Sequence, residues 1–428
     1  MAEKGRAALL SRRAAIAMTA GAAATAILPR SAAARGAGRS WIPGAALVER
    51  FGPWMRHHAV PGMAIAVVED GALAWQGHYG AANIETGQAV DTQTLFQAAS
   101  LSKPVFAYVV MQLVEEGRVA LDDRVADYVR PTGGADDPRI DAVTVRHVLC
   151  HATGLPNWRD ERSADDLLVP AFAPGQDYSY SGEAFYWLQQ LVEAVTGQGI
   201  AAVMAQRLFT PAGLDMAMGW SPERDRREVE AHGVAPDGRP MLLPSAFRRE
   251  HWPRLHAVAA RWGRPVATWR EPDFHAACAV MRPHTAEDFA GWPMWKWRLP
   301  GNAVVDVASS VRASPADYAR FLALMMPASA ATGRPLISDA SRRLMLTPQL
   351  ERADRPHLPR GIGWGLERDG GDLLFYHWGK NGRAHISVAL GDPARRRGLV
   401  VMVNGVNGGA LAEQVAAAMT GKRYASIS

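Results

Sequence analysis

The chain of 428 residues contains five lysines, at 4, 103, 296, 380 and 422, and only Lys103 has a serine three positions before it. The segment is Ser100-Leu101-Ser102-Lys103. On a helix, residues i and i+3 share a face with Cβ atoms about 5–6 Å apart. A lysine there takes the serine proton once burial depresses its pKa. The positive end of the same helix favours a developing alkoxide. The pair therefore reads as nucleophile and base of a serine hydrolase. Four residues alone are weak grounds, since such a pair also arises by chance on an ordinary helix surface, so the flanking elements have to decide.

Residues 100 to about 117 carry apolar side chains at Val105, Tyr108, Val109, Met111 and Val114, at helical spacing. Pro104 falls in the first turn, where its missing N–H does no harm, and Gly117 supplies a stop. Upstream, Met63–Val68 is an apolar run, Asp70-Gly71 a turn dipeptide and Leu73–Trp75 the start of a return strand, so Val60 to Tyr79 reads as a hairpin. Strand signals return at Leu373–Tyr376, Ala384–Leu390 and Gly398–Asn404, followed by a helix over about 410–419. Between them lies a mixed stretch with helical segments such as Phe185 to Val195. A region rich in tryptophan follows, at 252, 262, 269, 292, 295 and 297. The expected architecture is α/β (α+β): an antiparallel sheet built from both termini, flanked by helices, with a mainly helical lobe over about 118–300 inserted in one catalytic unit spanning 40–424.

Several segments together resemble the class C β-lactamase, DD-peptidase and family VIII esterase superfamily of serine hydrolases. They are Val60–Gly71, Thr94–Lys103, Leu113–Asp123, Val148–Pro156, Gly361–Gly365 and the late strand ending Val403-Asn404. The likeness runs from about 45 to 420 with a gap around 220–300. It implies the β-lactamase/transpeptidase-like fold, an acyl-enzyme on Ser100 and no cofactor or metal. It places the family's Tyr-x-Asn element at Tyr180-Ser181-Gly182, after Pro174-Gly175, in preference to Tyr178. Beside a lysine ammonium, Tyr180 is expected to ionise more easily and to serve as general base. The third element falls at His377-Trp378-Gly379. Gly379 lets a substrate approach the strand edge. The N–H of Lys380 is expected to form the oxyanion hole with that of Ser100, and His377 to assist Tyr180 or hold a substrate carboxylate.

Two family positions depart from the pattern. Gly182 stands where an asparagine would bind an acylamide, and Trp378 replaces a small hydroxyl residue. Both changes concern substrate recognition and leave proton transfer intact, which favours esters, with amides and peptides behind them, over β-lactams. Acyl transfer to an alcohol or amine, with the Trp-rich region excluding water, is one alternative. A non-catalytic cell-wall binding protein of the same fold is another. His147 and His151 have metal-like spacing, but no glutamate follows His147, and neither a Gly-x-Ser-x-Gly elbow nor a phosphate loop occurs.

Composition bounds the partners. The net charge is +5, but residues 1–34 hold Lys4, Arg6, Arg12, Arg13 and Arg30 against Glu3, so the remainder is near neutral. No basic tract is left for nucleic acid. Ser11-Arg12-Arg13, the Ala-rich run to Leu28 and Ser31–Ala34 form an export signal of twin-arginine type, predicting a periplasmic or secreted protein. No internal run is long and apolar enough to span a membrane. Two cysteines, Cys150 and Cys278, are too few for a disulfide scaffold and read as separate buried thiols.

Overall fold

A computed structural model describes residues 39–426 except 132, 160–166, 244, 246–251, 282–304 and 328–334. The expected export segment, Trp292, Trp295 and Trp297 lie outside the described residues, and so does the side chain of Cys278. The account below concerns the unit from Ser40 onward.

Strands β1 (Gly62–Glu69) and β2 (Ala72–Asn83) form the expected hairpin. Its turn residues Asp70 and Gly71 both have positive φ, 52° and 77°, the backbone a two-residue turn needs to match the twist of its strands. β3 (Gln88–Ala89) extends that edge. The C-terminal strands are β4 (Gly365–Asp369), β5 (Asp372–Asn381), β6 (His385–Asp392) and β7 (Arg397–Val403). The seven-stranded sheet runs β3-β2-β1-β7-β6-β5-β4, with every pairing antiparallel. The chain's two ends meet at β1 and β7, in register from Met63 opposite Val403 to Val68 opposite Gly398.

Both faces of β1 are covered, so its apolar residues run continuously instead of alternating with polar ones. Met63, Ile65 and Val67 join a core with Phe51 and Met55 of α1 (Ala45–His57) and Leu411 and Val415 of the C-terminal helix Gly408–Thr420. Ala64, Ala66 and Val68 face the opposite way. They join a larger core with Val105 and Val109 of α2 (Ser102–Glu115) and Phe321 and Leu322 of the helix Pro315–Leu324. The small alanines of β1 let that second helical layer approach.

The stretch 118–300 is mainly helical where described, with α3 (Gly182–Thr196) at its centre. It also holds a short hairpin, Ala231–Val234 with Pro240–Leu243. Trp252 and Trp269 are buried in the lobe, and Trp262 packs against Trp269 with ring centroids 5.1 Å apart. The described tryptophans of that region thus pack the lobe. Cys150 is a free, buried thiol.

Asn404 ties the two chain ends together. Fully buried, it accepts the Gly62 N–H at 2.8 Å and donates to the carbonyls of Ala81 and Ala82 at 3.0 and 3.3 Å. Asn404→Ala takes away the acceptor of the buried Gly62 N–H and should cost about 1–3 kcal/mol in urea unfolding, with little change in the slope of the transition.

Candidate active site

Ser100 sits in a single 3-10 turn, Ala99–Leu101, directly before α2. Ala99 has a φ of 50°, a conformation costly to a residue with a Cβ and of the kind that gathers at functional turns. The turn is held from several sides. Ser102 Oγ donates to the Ala99 carbonyl at 2.6 Å and accepts from Val311 N–H at 3.0 Å. The Tyr318 hydroxyl donates to the Leu101 carbonyl at 2.8 Å. These bonds fix the nucleophile's backbone, leaving its hydroxyl on the cavity wall.

At the second residue of α2, Lys103 is fully buried with Nζ 3.1 Å from Ser100 Oγ and 3.0 Å from the carbonyl oxygen of Ala308. Its Nζ also lies 4.8 Å from the centroid of the Tyr180 ring and 5.7 Å from that of Phe185. Burial pushes the lysine pKa down to about 7, Asp306 opposes that shift, and the nearby Arg360 guanidinium adds to it. Near neutral pH a large fraction of the amine is therefore uncharged and able to accept the serine proton.

Tyr180 is hydrogen-bonded to Ser100, but its hydroxyl does not ionise easily. Burial raises its pKa to about 12, against the expectation of a ready phenolate. The physical reason is that desolvation penalises the phenolate more than the neighbouring cations stabilise it. Near neutral pH Lys103 is thus the group that can be found without its proton, while Tyr180 keeps its own.

His151 positions Tyr180. Its carbonyl accepts the Ser179 N–H at 2.9 Å, its Nδ1 accepts the Ser181 N–H at 3.1 Å, and its ring lies on Tyr180 with centroids 4.3 Å apart. Because Nδ1 accepts, the proton of the neutral ring is on Nε2. Burial first, then Arg360 and Lys103, hold its pKa well below the usual histidine value. The sequence pattern suggested only a metal-like spacing with His147, which instead caps the helix start at Thr144.

His377, Trp378, Gly379 and Lys380 lie on β5. The strand pairs with β4 only as far as Tyr376, so from His377 onward that edge faces the cavity unpaired. A Cβ on Gly379 would sit 2.6 Å from the Ser100 nitrogen and 2.7 Å from the Ala98 carbonyl oxygen. Only glycine lets β5 press against the nucleophile turn at this distance. His377 is buried, its ring centroid 6.2 Å from that of Tyr180 and its Nδ1 2.8 Å from the Trp378 carbonyl oxygen. Burial and the charges of Arg360 and Lys103 hold it neutral, its pKa well below the usual value. Trp378 is 53% exposed at the cavity mouth.

Ser100, Tyr180, His377, Trp378 and Lys380 line one cavity of about 910 Å³, together with Tyr178, Trp158 and Arg360. Gly182, the first residue of α3, lies against the Trp158 ring. Tyr178 packs under Arg352, whose Cζ is 4.2 Å from the ring centroid, and stays on the cavity wall away from Lys103.

Arg360 escaped the sequence reading. It is 4% exposed, its Cζ is 5.5 Å from the Tyr178 ring centroid, and its Nε and one terminal nitrogen have no hydrogen-bond partner. Among the described residues no carboxylate pairs with it. Its one sequence signal was its place immediately before Gly361-Ile-Gly-Trp-Gly365. Uncompensated, it adds positive potential at Lys103, His151 and His377 and helps keep all three neutral.

Residues 46–421 match the family model described as Beta-lactamase. The chain belongs to the β-lactamase family. It is 35% identical to penicillin-binding protein 4 of Amycolatopsis lactamdurans over 51% of this chain and 59% of that protein. It is 27% identical to esterase EstB of Burkholderia gladioli over 74% of this chain and 76% of that one. The chain thus spans less than two thirds of the first relative's length and about three quarters of the second's. The octameric penicillin-binding protein homologue from Pyrococcus abyssi shares the fold, with a TM-score of 0.64 at 18% identity, covering 88% of this chain and 77% of that one. The β-lactamase-family sheet and its helical lobe agree with the expected architecture.

If neutral Lys103 is the base, kcat/KM for an ester should fall as pH drops through about 7, where the amine protonates, and level off above it. Arg360→Met removes a charge that depresses the lysine pKa, so the falling limb should move to higher pH in a stopped-flow pH profile.

Proposed function

We propose that this protein is an exported serine hydrolase that cleaves carboxylic esters through an acyl-enzyme on Ser100. One observation carries the reading: a serine hydroxyl 3.1 Å from a fully buried lysine amine whose pKa is near 7, with Tyr180 bonded to the same serine. Ser100 Oγ attacks the carbonyl carbon as its proton passes to Lys103. The N–H groups of Ser100 and Lys380 receive the oxyanion; each such donor contributes about 3–4 kcal/mol to the transition state. Tyr180, still protonated, hands a proton to the leaving alkoxide and recovers one through Lys103. Water then enters, and the same groups run the steps in reverse to release the acid.

Esters are favoured over β-lactams and peptides for two reasons. Gly182 offers no amide to an acylamido group, and Trp378 narrows the strand edge where a substrate carboxylate would lie. The relative named an esterase, matched over about three quarters of both chains, supports the same choice. Acyl transfer asks for exclusion of water, and the described tryptophans of the Trp-rich region, Trp252, Trp262 and Trp269, do not line the cavity. A binding protein without catalysis has no physical need of a buried neutral lysine. Export rests on the twin arginines and Ala-rich run of residues 11–34.

The test is a panel of p-nitrophenyl esters, nitrocefin and a D-Ala-D-Ala peptide offered to the chain from Ser40 onward, beside Ser100→Ala. Esters should turn over fastest, an acyl adduct should appear on Ser100 by intact mass, and Ser100→Ala should lose at least 10³-fold in kcat, on the scale of removing a triad nucleophile. Undiminished turnover by Ser100→Ala would refute the mechanism, and faster hydrolysis of nitrocefin than of any ester would refute the substrate choice.

A further inference from the structure

Gly182 begins α3 two residues after Tyr180, and its missing side chain has a physical partner. A Cβ built there would lie 2.4, 2.6 and 2.7 Å from three atoms of the Trp158 ring. Not even alanine fits. The indole rests on the glycine Cα and fills the space that a side chain at 182 would take. Gly182 is therefore a seat for an aromatic ring.

The ring is held from both neighbours. The Asn157 carbonyl accepts the N–H groups of Gly182 and Glu183, each at 2.9 Å, and Asn157 Oδ1 accepts from Gly182 N–H at 3.0 Å. On the other side, Arg159 N–H donates to Glu183 Oε1 at 3.1 Å, and its guanidinium meets Glu183 Oε2 at 3.3 Å in a pair 7% and 2% exposed. Trp158 is thus clamped on the first turn of α3, yet it is 36% exposed and lines the same cavity as Ser100 and Tyr180. A rigid aromatic face left open in a catalytic cavity loses little entropy when a flat apolar group covers it. Trp378 adds a second exposed indole to the same cavity.

We propose that Trp158 is the acyl-group specificity residue, and that the site prefers esters of aryl acids, whose ring stacks on this indole, to esters of short aliphatic acids. The assignment rests on the ester-hydrolase reading above and names its substrate class. Ring stacking of this kind is worth about threefold to tenfold in binding beyond simple burial.

The experiment compares p-nitrophenyl phenylacetate with p-nitrophenyl acetate, which share a leaving group, in the wild type, Trp158→Ala, Trp158→Phe and Ser100→Ala. The wild type should favour the phenylacetate. In Trp158→Ala the ratio of the two kcat/KM values should fall about fivefold, and Trp158→Phe should keep most of it. A merely structural role for Trp158 would depress both esters equally and leave the ratio in place, and that result overturns the proposal. A wild type that cleaves neither ester, or a Ser100→Ala variant that cleaves both undiminished, overturns the hydrolase reading and this assignment with it. Ser100-dependent cleavage with an unchanged ratio in Trp158→Ala overturns this assignment alone.

Discussion

Lys103 is a fully buried primary amine with no carboxylate in contact among the described residues, held between a serine hydroxyl, a backbone carbonyl and two aromatic rings. In such surroundings the charged form is penalised and the neutral amine gains ground at ordinary pH. Much of the site supports that state. Arg360, buried without a carboxylate among the described residues, adds positive potential, and His151 and His377 stay uncharged for the same reasons as the lysine. Tyr180, which elementary electrostatics beside an ammonium would make acidic, is instead a weak acid.

The sheet places these groups by closing the two ends of the chain on one another. β1 comes from the N-terminal part and β7 from the C-terminal part, and together they form the centre of a surface on which α2 packs. The strand that carries His377 to Lys380 then presses edge-on against the turn of Ser100. That closeness tolerates only a glycine at 379, with the Ser100 nitrogen 2.6 Å from where a Cβ would be. The Ser100 turn and the strand that presses on it thus come from two segments some 280 residues apart in sequence, brought together by the fold of the sheet.

Substrate recognition follows a different logic from proton transfer. The Ser-Lys-Tyr group is built from helix spacing and buried packing, whereas another part of the cavity wall is built from a loop, Asn157–Arg159, clamped onto the first turn of α3. Gly182 and Trp158 form one unit, a ring and the seat that receives it.

The hairpin at Asp70-Gly71, helix α2 and the late strands were legible in the sequence because each rests on short-range periodicity and turn chemistry. The Ser100–Lys103 pair was legible for the same reason, since three residues on a helix set their own distance. His151 and Arg360 were not. One had suggested only a metal-like spacing and the other had drawn no notice, because what makes each matter is a ring stacked on it or a missing partner, and neither leaves a trace in spacing. The sequence by itself thus determined which residues are candidates for the chemistry and the class of fold that holds them. Tertiary structure alone decided their charge, through burial that lowers the lysine pKa to about 7, and decided that Gly182 receives an indole, because a contact between residues 158 and 182 exists only once the loop has folded onto the helix.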